Sequence, residues 1–143
     1  MNWVNDYMRI EFQNDGRDRK GCDCWGLVRL ILAEQANIVI PAYAGTPTED
    51  VKHVNRHMAS DSAAPPWQAV IPLGSEQKFD VVLMTRTIRT DRGASNVPMH
   101  VGLITEPGWM IHTEKNANTT HVRLDSPTVK RKILSIHRHE KLV

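Results

Sequence analysis

Hydrophobic residues recur at a helical period in one segment near the start of the chain. Between residues 23 and 36 the apolar side chains are spaced three and four residues apart, as on one face of a helix. These side chains belong to Cys24, Leu27, Val28, Ile31 and Leu32. Asp23 directly precedes them and is a suitable N-cap. The pattern predicts a helix from about residue 23 to residue 36, and shorter helices over residues 2–9 and 49–58.

From residue 79 onward the period changes, and apolar and polar residues alternate. Short turns separate the alternating segments, which is typical of antiparallel strands. Five strands are predicted, over residues 79–85, 97–105, 108–114, 120–124 and 132–139. Before them, Pro65, Pro66 and Pro72 indicate a turn-rich connector. Helices followed by an antiparallel sheet predict an α+β fold, with residues 1–143 forming a single domain.

Composition agrees with one globular domain. The chain has 143 residues, of which 41% are hydrophobic and 24% charged, and these fractions exclude a disordered or collagen-like chain. The longest apolar stretch, residues 27–33, is too short to cross a bilayer, so no membrane span is expected. The first residues lack a basic segment followed by an apolar one, so we expect no signal peptide and synthesis in the cytoplasm.

Charge is distributed unevenly along the chain. Residues 1–120 carry a net charge of −2, whereas residues 121–143 carry six basic and two acidic groups, a net charge of +4. A basic segment can attract an anionic polymer. It can also protect a solvated edge strand against aggregation, which is the interpretation we favour. No nucleic-acid-binding motif accompanies the charge, so no nucleic acid is expected as a partner.

The two cysteines are the first candidates for chemistry. Cys22 and Cys24 are too close in sequence to form a disulfide readily, and the further ligands that a zinc motif needs are missing. His53 and His57 are interpreted as surface histidines. Cys24 falls at the predicted helix start, where backbone amides favour a thiolate and can stabilise an oxyanion. The alternative is that Cys24 is a small buried apolar residue.

Two histidines stand on neighbouring predicted strands. His100 alternates with apolar residues, and His112 does the same on the next strand. A hairpin centred on Glu106 would place the two side chains directly opposite each other, with Cβ atoms about 5 Å apart. One imidazole could then act as a base towards a thiol while the other orients it. The alternative is two unrelated polar residues on a solvated sheet face.

Four segments resemble those of a known family. Residues 21–28, Gly-Cys-Asp-Cys-Trp-Gly-Leu-Val, resemble the Asp-Cys-(Ser/Trp)-Gly-Leu-Val signature of NlpC-type cysteine peptidases, the bacterial cell-wall endopeptidases of the papain-like clan. Residues 100–104 (His-Val-Gly-Leu-Ile) and 110–113 (Met-Ile-His-Thr) resemble the two histidine strands of that family, and residues 80–84 resemble the strand before them. The resemblance covers about residues 1–140. The Trp after the cysteine, residues 40–43 and the basic final strand most resemble the phage-tail and prophage branch.

The resemblance implies a papain-like fold, with N-terminal helices packed on a five- to six-stranded antiparallel sheet. It makes Cys24 the nucleophile, His100 the general base and His112 the residue that orients it, with Cys22 a packed bystander. Trp25 replaces the Ser of many relatives, and Phe12 stands where many have a Tyr, so both are assigned to the substrate-binding side.

The resemblance also implies a function that needs neither a cofactor nor a metal. The expected substrate is the stem peptide of peptidoglycan, cut between D-γ-glutamate and a diamino acid. Other phage-tail proteins are expected partners, and a phage or phage-like tail would carry the chain to the cell wall. Two alternatives remain: a tail-assembly protein with the same fold and little catalysis, or an amidase or acyltransferase on this scaffold.

Overall fold

The computed structural model describes residues 3–13, 16–40, 67–114 and 117–142. The predicted helix over residues 49–58, with His53 and His57, lies outside the described residues. Helix α1 spans Trp3–Met8 and helix α2 spans Cys24–Gln35. A short helix, α3, spans Pro127–Lys130, and a single 3-10 turn spans Glu140–Leu142. The two helices predicted within the described residues are therefore confirmed to within one or two residues at each end.

The strands form one small and one large antiparallel sheet. Strands β1 and β2 pair with each other in the small sheet. The large sheet has six strands in the order β3-β8-β4-β5-β6-β7. In chain order the strands are β1 (Arg17–Asp18), β2 (Gly21–Cys22), β3 (Trp67–Val70), β4 (Val81–Thr90), β5 (Gly93–Glu106), β6 (Trp109–Glu114), β7 (Asn118–Arg123) and β8 (Ile133–His139). The α+β class and the six-stranded sheet confirm the fold expected from the sequence.

The position of β8 overturns one prediction. The basic final strand was interpreted as a protected edge, but β8 is hydrogen-bonded to β3 on one side and to β4 on the other. The prediction failed because β3 was not foreseen: its four residues directly follow Pro65 and Pro66, where the sequence indicated only turns. The basic residues Lys130, Arg131 and Lys132 lie in α3 and the turn before β8, and all three are exposed.

Helix α2 packs against β5 and β6 and supplies much of the core. Its apolar face, including Leu27 and Ile31, is buried against Val101 and Leu103 of β5. Full burial of each such side chain contributes about 1.5–3 kcal/mol relative to exposure. The same cluster contains Cys24 and Cys22. The helix that begins at Cys24 is therefore held firmly against the strands that carry the two histidines.

Two ion pairs engage charges of the basic C-terminal segment. Arg138 of β8 donates two hydrogen bonds to the carboxylate of Asp80, which is fully buried just before β4. Arg123 pairs with Asp125 at the exposed end of β7. The surface charge that remains in this segment is concentrated at residues 130–132.

Candidate functional site

The start of α2 places Cys24 at a capped helix N-terminus. Asp23 is the N-cap, and its Oδ1 atom accepts a hydrogen bond of 2.7 Å from the amide of Gly26. Cys24 is the first residue of the helix, and only 9% of its surface is exposed. Two residues earlier, Cys22 is fully buried and its Sγ atom donates to the carbonyl of Asp18. The N-cap predicted from the sequence is confirmed, and the two cysteines have clearly different surroundings.

The core cluster connects Cys24 with the strands of the two histidines. Val101 and Ile111 belong to the same buried cluster as Cys24. Val101 directly follows His100 in β5, and Ile111 directly precedes His112 in β6. The helix start and the histidine strands thus belong to one packed unit. The distance from the Sγ atom of Cys24 to the His100 ring stays a prediction, namely that it is within about 7 Å.

The hairpin that joins β5 to β6 differs from the predicted one. Its loop consists of Pro107 and Gly108, and Gly108 has a φ of +89°, which favours glycine. Leu103 pairs with Ile111, two residues away from the register that a turn centred on Glu106 requires. Alternation of apolar residues decides which face a side chain occupies, but the length of the turn decides the register.

In this register the two histidines are diagonal neighbours. Continuing the Leu103–Ile111 pairing by one residue places His112 beside Gly102, with His100 two residues further along β5. The prediction that the histidines stand directly opposite each other is therefore wrong. Diagonal positions remain within reach of long and aromatic side chains.

The histidine rings nevertheless meet. The Nε2 atom of His100 lies 2.8 Å from the Nδ1 atom of His112, a hydrogen bond in which one nitrogen donates and the other accepts. The ring planes are inclined at 68°. His100 is 5% exposed and His112 7% exposed. The bond is shielded from water, so it restricts the orientation of both rings more strongly than a surface contact would.

A carboxylate that the sequence analysis missed lies beside this pair. The Oε1 atom of Glu114 is 3.7 Å from Nε2 of His100 and 4.0 Å from Nδ1 of His112. Glu114 lies two residues after His112 in β6, so the same alternation that singled out His112 could have indicated it. Burial lowers the pKa of His112 below its usual value; the negative charge of Glu114 opposes this effect and the positive charge of Lys132 adds to it.

The three side chains of His100, His112 and Glu114 form a set with metal-ligand chemistry. One ligand atom from each residue lies within 4.8 Å of the others. Two imidazoles and a carboxylate are a ligand set known from zinc proteins. No metal was expected from the sequence, because neither cysteine is joined by the further ligands of a zinc motif and the family resemblance implies a reaction without one.

The two residues assigned to substrate binding have different positions. Trp25 is fully buried in the core, so its side chain presents no surface to solvent here. Phe12 is half-buried and forms an isolated parallel bridge with Cys22, which places its backbone beside the segment that leads to Cys24. The amide of Phe12 donates to the side chain of Asn118. The substrate-binding role of both residues stays a prediction.

Comparison with known proteins supports the α+β fold described above. A model of the NlpC/P60 family matches residues 9–138. A solved structure described as similar to a lipoprotein of the NLP/P60 family, from Staphylococcus aureus subsp. aureus Mu50, aligns with a TM-score of 0.60 and 16% identity over 95% of this chain. An NlpC/P60 family protein from Bacillus cereus ATCC 10987 aligns with a TM-score of 0.55 and 17% identity over 87% of this chain.

The NlpC/p60 domain of the peptidoglycan hydrolase SagA is similar as well. It aligns with a TM-score of 0.55 and 13% identity, covering 94% of this chain and 91% of that domain. The chain spans only 39% of the Staphylococcus aureus structure and 33% of the Bacillus cereus structure. No curated protein matches the sequence significantly.

An antiparallel sheet with a capped cysteine helix packed on its histidine strands is a papain-like arrangement. Because the model of the NlpC/P60 family matches residues 9–138, which is most of the chain, the chain belongs to this family. Within the residues that the structure describes, no helix is long and apolar enough to cross a membrane. The expectation that the chain belongs to the phage-tail branch stays a prediction.

Proposed function

We propose that this chain is a cysteine peptidase that hydrolyses the stem peptides of peptidoglycan. The observation that carries the proposal is the buried hydrogen bond of 2.8 Å between Nε2 of His100 and Nδ1 of His112. With a proton on its Nε2 atom, His100 donates to His112, and the base function then falls to Nδ1 of His100. A nucleophile, a base and a group that orients the base are the three parts that a thiol hydrolase needs.

The reaction proceeds through an acyl-enzyme. Cys24 transfers its thiol proton to His100, and the thiolate attacks the carbonyl carbon of the scissile amide. His100 then donates the proton to the departing amine as the C–N bond breaks, which leaves a thioester on Cys24. Water, deprotonated by His100, hydrolyses the thioester and restores the thiol.

The oxyanion of the tetrahedral intermediate needs hydrogen-bond donors near the start of α2. Two amides of the first turn are already engaged by Asp23: Gly26 donates to its carboxylate and Leu27 to its carbonyl. These two amides are therefore unsuited to the oxyanion. His112 contributes by holding the His100 ring, and its pKa, which burial lowers, keeps it neutral and able to accept the hydrogen bond.

The proposed substrate is more specific than membership of the NlpC/P60 family by itself implies. The similarity of the sequence motifs to those of cell-wall endopeptidases supports cleavage between D-γ-glutamate and a diamino acid. The same similarity supports delivery to the cell wall by a phage or phage-like tail. Co-purification of the chain with assembled tail particles tests the delivery, and its absence from such particles would contradict it.

Digestion of purified sacculi, followed by mass analysis of the released peptides, tests the catalytic proposal. We expect Cys24→Ala to abolish peptide release, whereas the matched control Cys22→Ala retains most of it. His100→Ala should lower the rate more than His112→Ala, because water can partly replace an orienting group. Equal release by Cys24→Ala and the unaltered protein would overturn the proposal.

A further inference from the structure

The cluster of His100, His112 and Glu114 has a second chemical capacity besides the one used in the proposed reaction. Three potential ligand atoms converge within 4.8 Å, two of them on buried imidazoles. In the proposed reaction Cys24, His100 and His112 are the nucleophile, the base and the group that orients the base, so Glu114 has no part in it. The convergence of Glu114 on the histidine pair therefore calls for its own explanation.

We propose that His100, His112 and Glu114 bind one divalent transition-metal ion of the zinc class, and that the bound ion inhibits the peptidase. The proposed inhibition rests on the proposed peptidase function, whereas the proposed metal binding does not. Two histidines and one glutamate provide three protein ligands, and the fourth position of a tetrahedral zinc ion is taken by water.

The required geometry is close to the geometry present. Two nitrogens bound to zinc at 2.0–2.1 Å in a tetrahedral site stand about 3.3 Å apart. The Nε2 atom of His100 and Nδ1 of His112 are 2.8 Å apart, so the rings have to separate by about half an ångström as the proton between them leaves. The Oε1 atom of Glu114 is 3.7 Å and 4.0 Å from these two nitrogens and has to move inward by a similar amount.

The surroundings suit an ion that enters from solvent. The side chain of Glu114 is 41% exposed, whereas those of His100 and His112 are 7% and 8% exposed. The carboxylate can therefore capture an ion at the surface and pass it to the buried nitrogens. The positive charge of Lys132 acts on His112 and opposes cation binding. The charge of Glu114 thus favours binding of a cation at this cluster, and the charge of Lys132 opposes it.

Inhibition follows from the atoms that the ion occupies. Zinc takes the lone pairs of Nε2 of His100 and Nδ1 of His112, so the hydrogen bond that orients His100 is lost. With zinc on Nε2, the neutral His100 ring carries its one proton on Nδ1, which is the nitrogen that would accept the proton of Cys24, and the positive charge of the ion disfavours a second protonation. His100 could then neither accept the proton of Cys24 nor return it to the leaving amine.

Zinc titration of the full chain carrying Cys24→Ala tests binding without a contribution from that thiolate. We expect one ion per chain, and binding of cobalt(II) should give visible absorption bands typical of a tetrahedral site. Glu114→Gln should weaken binding by about tenfold or more. Lys132→Met should tighten it, and the matched control Glu106→Gln, an exposed carboxylate at the end of β5, should leave it within about twofold.

Sacculus digestion by the chain with Cys24 intact tests inhibition. Zinc should slow the digestion, EDTA should restore it, and Glu114→Gln should require about tenfold more zinc for the same inhibition. Equal zinc affinity of Glu114→Gln and its parent, or no binding at millimolar zinc, would overturn the proposal. If the chain binds zinc in this way but never releases peptides from sacculi, the result supports the metal site and contradicts the proposed peptidase function.

Discussion

The backbone of Gly102 lies so close to His112 that a Cβ atom at residue 102 would stand 3.3 Å from the Cβ atom of His112. The same Cβ atom would lie 2.5 Å from the Sδ atom of Met110. Glycine at this position thus permits the close approach of β5 and β6. The flexible end of Met110 can move aside, but the Cβ atom of His112 is attached directly to the backbone of β6. The absence of a side chain at residue 102 therefore allows His112 to stand where it does.

Gly102→Ala should impair catalysis by displacing His112 relative to His100. A shift of well under 1 Å would lengthen the bond of 2.8 Å between the rings. We expect kcat on sacculi to fall by about 10- to 100-fold, because small errors in the position of catalytic groups have effects of this size. Overpacking should cost about 1–3 kcal/mol of folding stability, to be measured by thermal unfolding. A folded Gly102→Ala variant with unchanged kcat would contradict this role of glycine.

The sequence was sufficient to predict α1, α2, the five strands β4 to β8 and the faces of their side chains, because these depend on local periodicity. The N-cap at Asp23 and the helix from Cys24 are examples. The register of the histidine hairpin was beyond prediction because it depends on the turn at Pro107 and Gly108. Strand β3 was missed because pairing with β8, rather than its own pattern, makes its four residues a strand.

Alkylation should distinguish the two cysteines. Cys22 is fully buried and its Sγ atom donates to the carbonyl of Asp18, whereas Cys24 keeps 9% of its surface exposed at the helix start. Substoichiometric iodoacetamide near neutral pH should therefore label Cys24 at least about tenfold faster than Cys22. Tandem mass spectrometry of the tryptic peptide of residues 21–29 locates the label. His100→Ala should slow the labelling of Cys24, and equal labelling of both cysteines would contradict an activated Cys24.

The stability of the fold should decrease in acid because of His137. This side chain is fully buried, and burial lowers the pKa of His137 to about 4. In the unfolded chain the pKa returns to about 6.5, so between about pH 6.5 and 4 only the unfolded state is protonated. The contribution of His137 to stability is thus complete above about pH 6.5 and declines by about 3 kcal/mol as the pH falls to 4.

Urea unfolding at several pH values measures this effect. His137→Gln, which cannot titrate, should show a smaller loss of stability between pH 6.5 and 4 than the unaltered chain. The pH slope, rather than the absolute stability, is the relevant quantity, because the substitution also changes packing and the hydrogen bond to Ser135. Identical slopes in the two proteins would refute the assignment to His137.

The buried and exposed ion pairs should differ sharply in their effect on stability. Arg138→Met leaves the fully buried carboxylate of Asp80 without its guanidinium partner and should cost about 3–5 kcal/mol. Arg123→Met provides the matched control, because its pair with Asp125 is exposed and should leave stability close to that of the unaltered chain. Urea midpoints measure both. A small effect of Arg138→Met would mean that water reaches Asp80 in the folded state.

The exposed basic cluster at residues 130–132 is expected to attract the anionic cell wall. Arg138 and Arg123 are already paired with carboxylates, and Lys141 directly follows the exposed Glu140, so Lys130, Arg131 and Lys132 form the exposed patch of one sign. Such attraction weakens as the Debye length falls from ~10 Å at 0.1 M salt to ~3 Å at 1 M. Digestion of sacculi should therefore decline with added salt, whereas cleavage of a small soluble peptide should change much less.

Replacement of Lys130, Arg131 and Lys132 by Gln should remove most of the salt dependence on sacculi. Lys20→Gln combined with Arg89→Gln, two exposed basic residues on other elements, is the matched control and should retain it. The charge of Lys132 also lowers the pKa of His112, so the triple variant could change the catalytic step itself. Cleavage of the small peptide measures any such change and serves as the reference for the rates on sacculi. If the triple variant and the unaltered chain gave the same salt curve on sacculi, the patch would have no part in wall binding, and contact with another protein would become the better explanation of its charge.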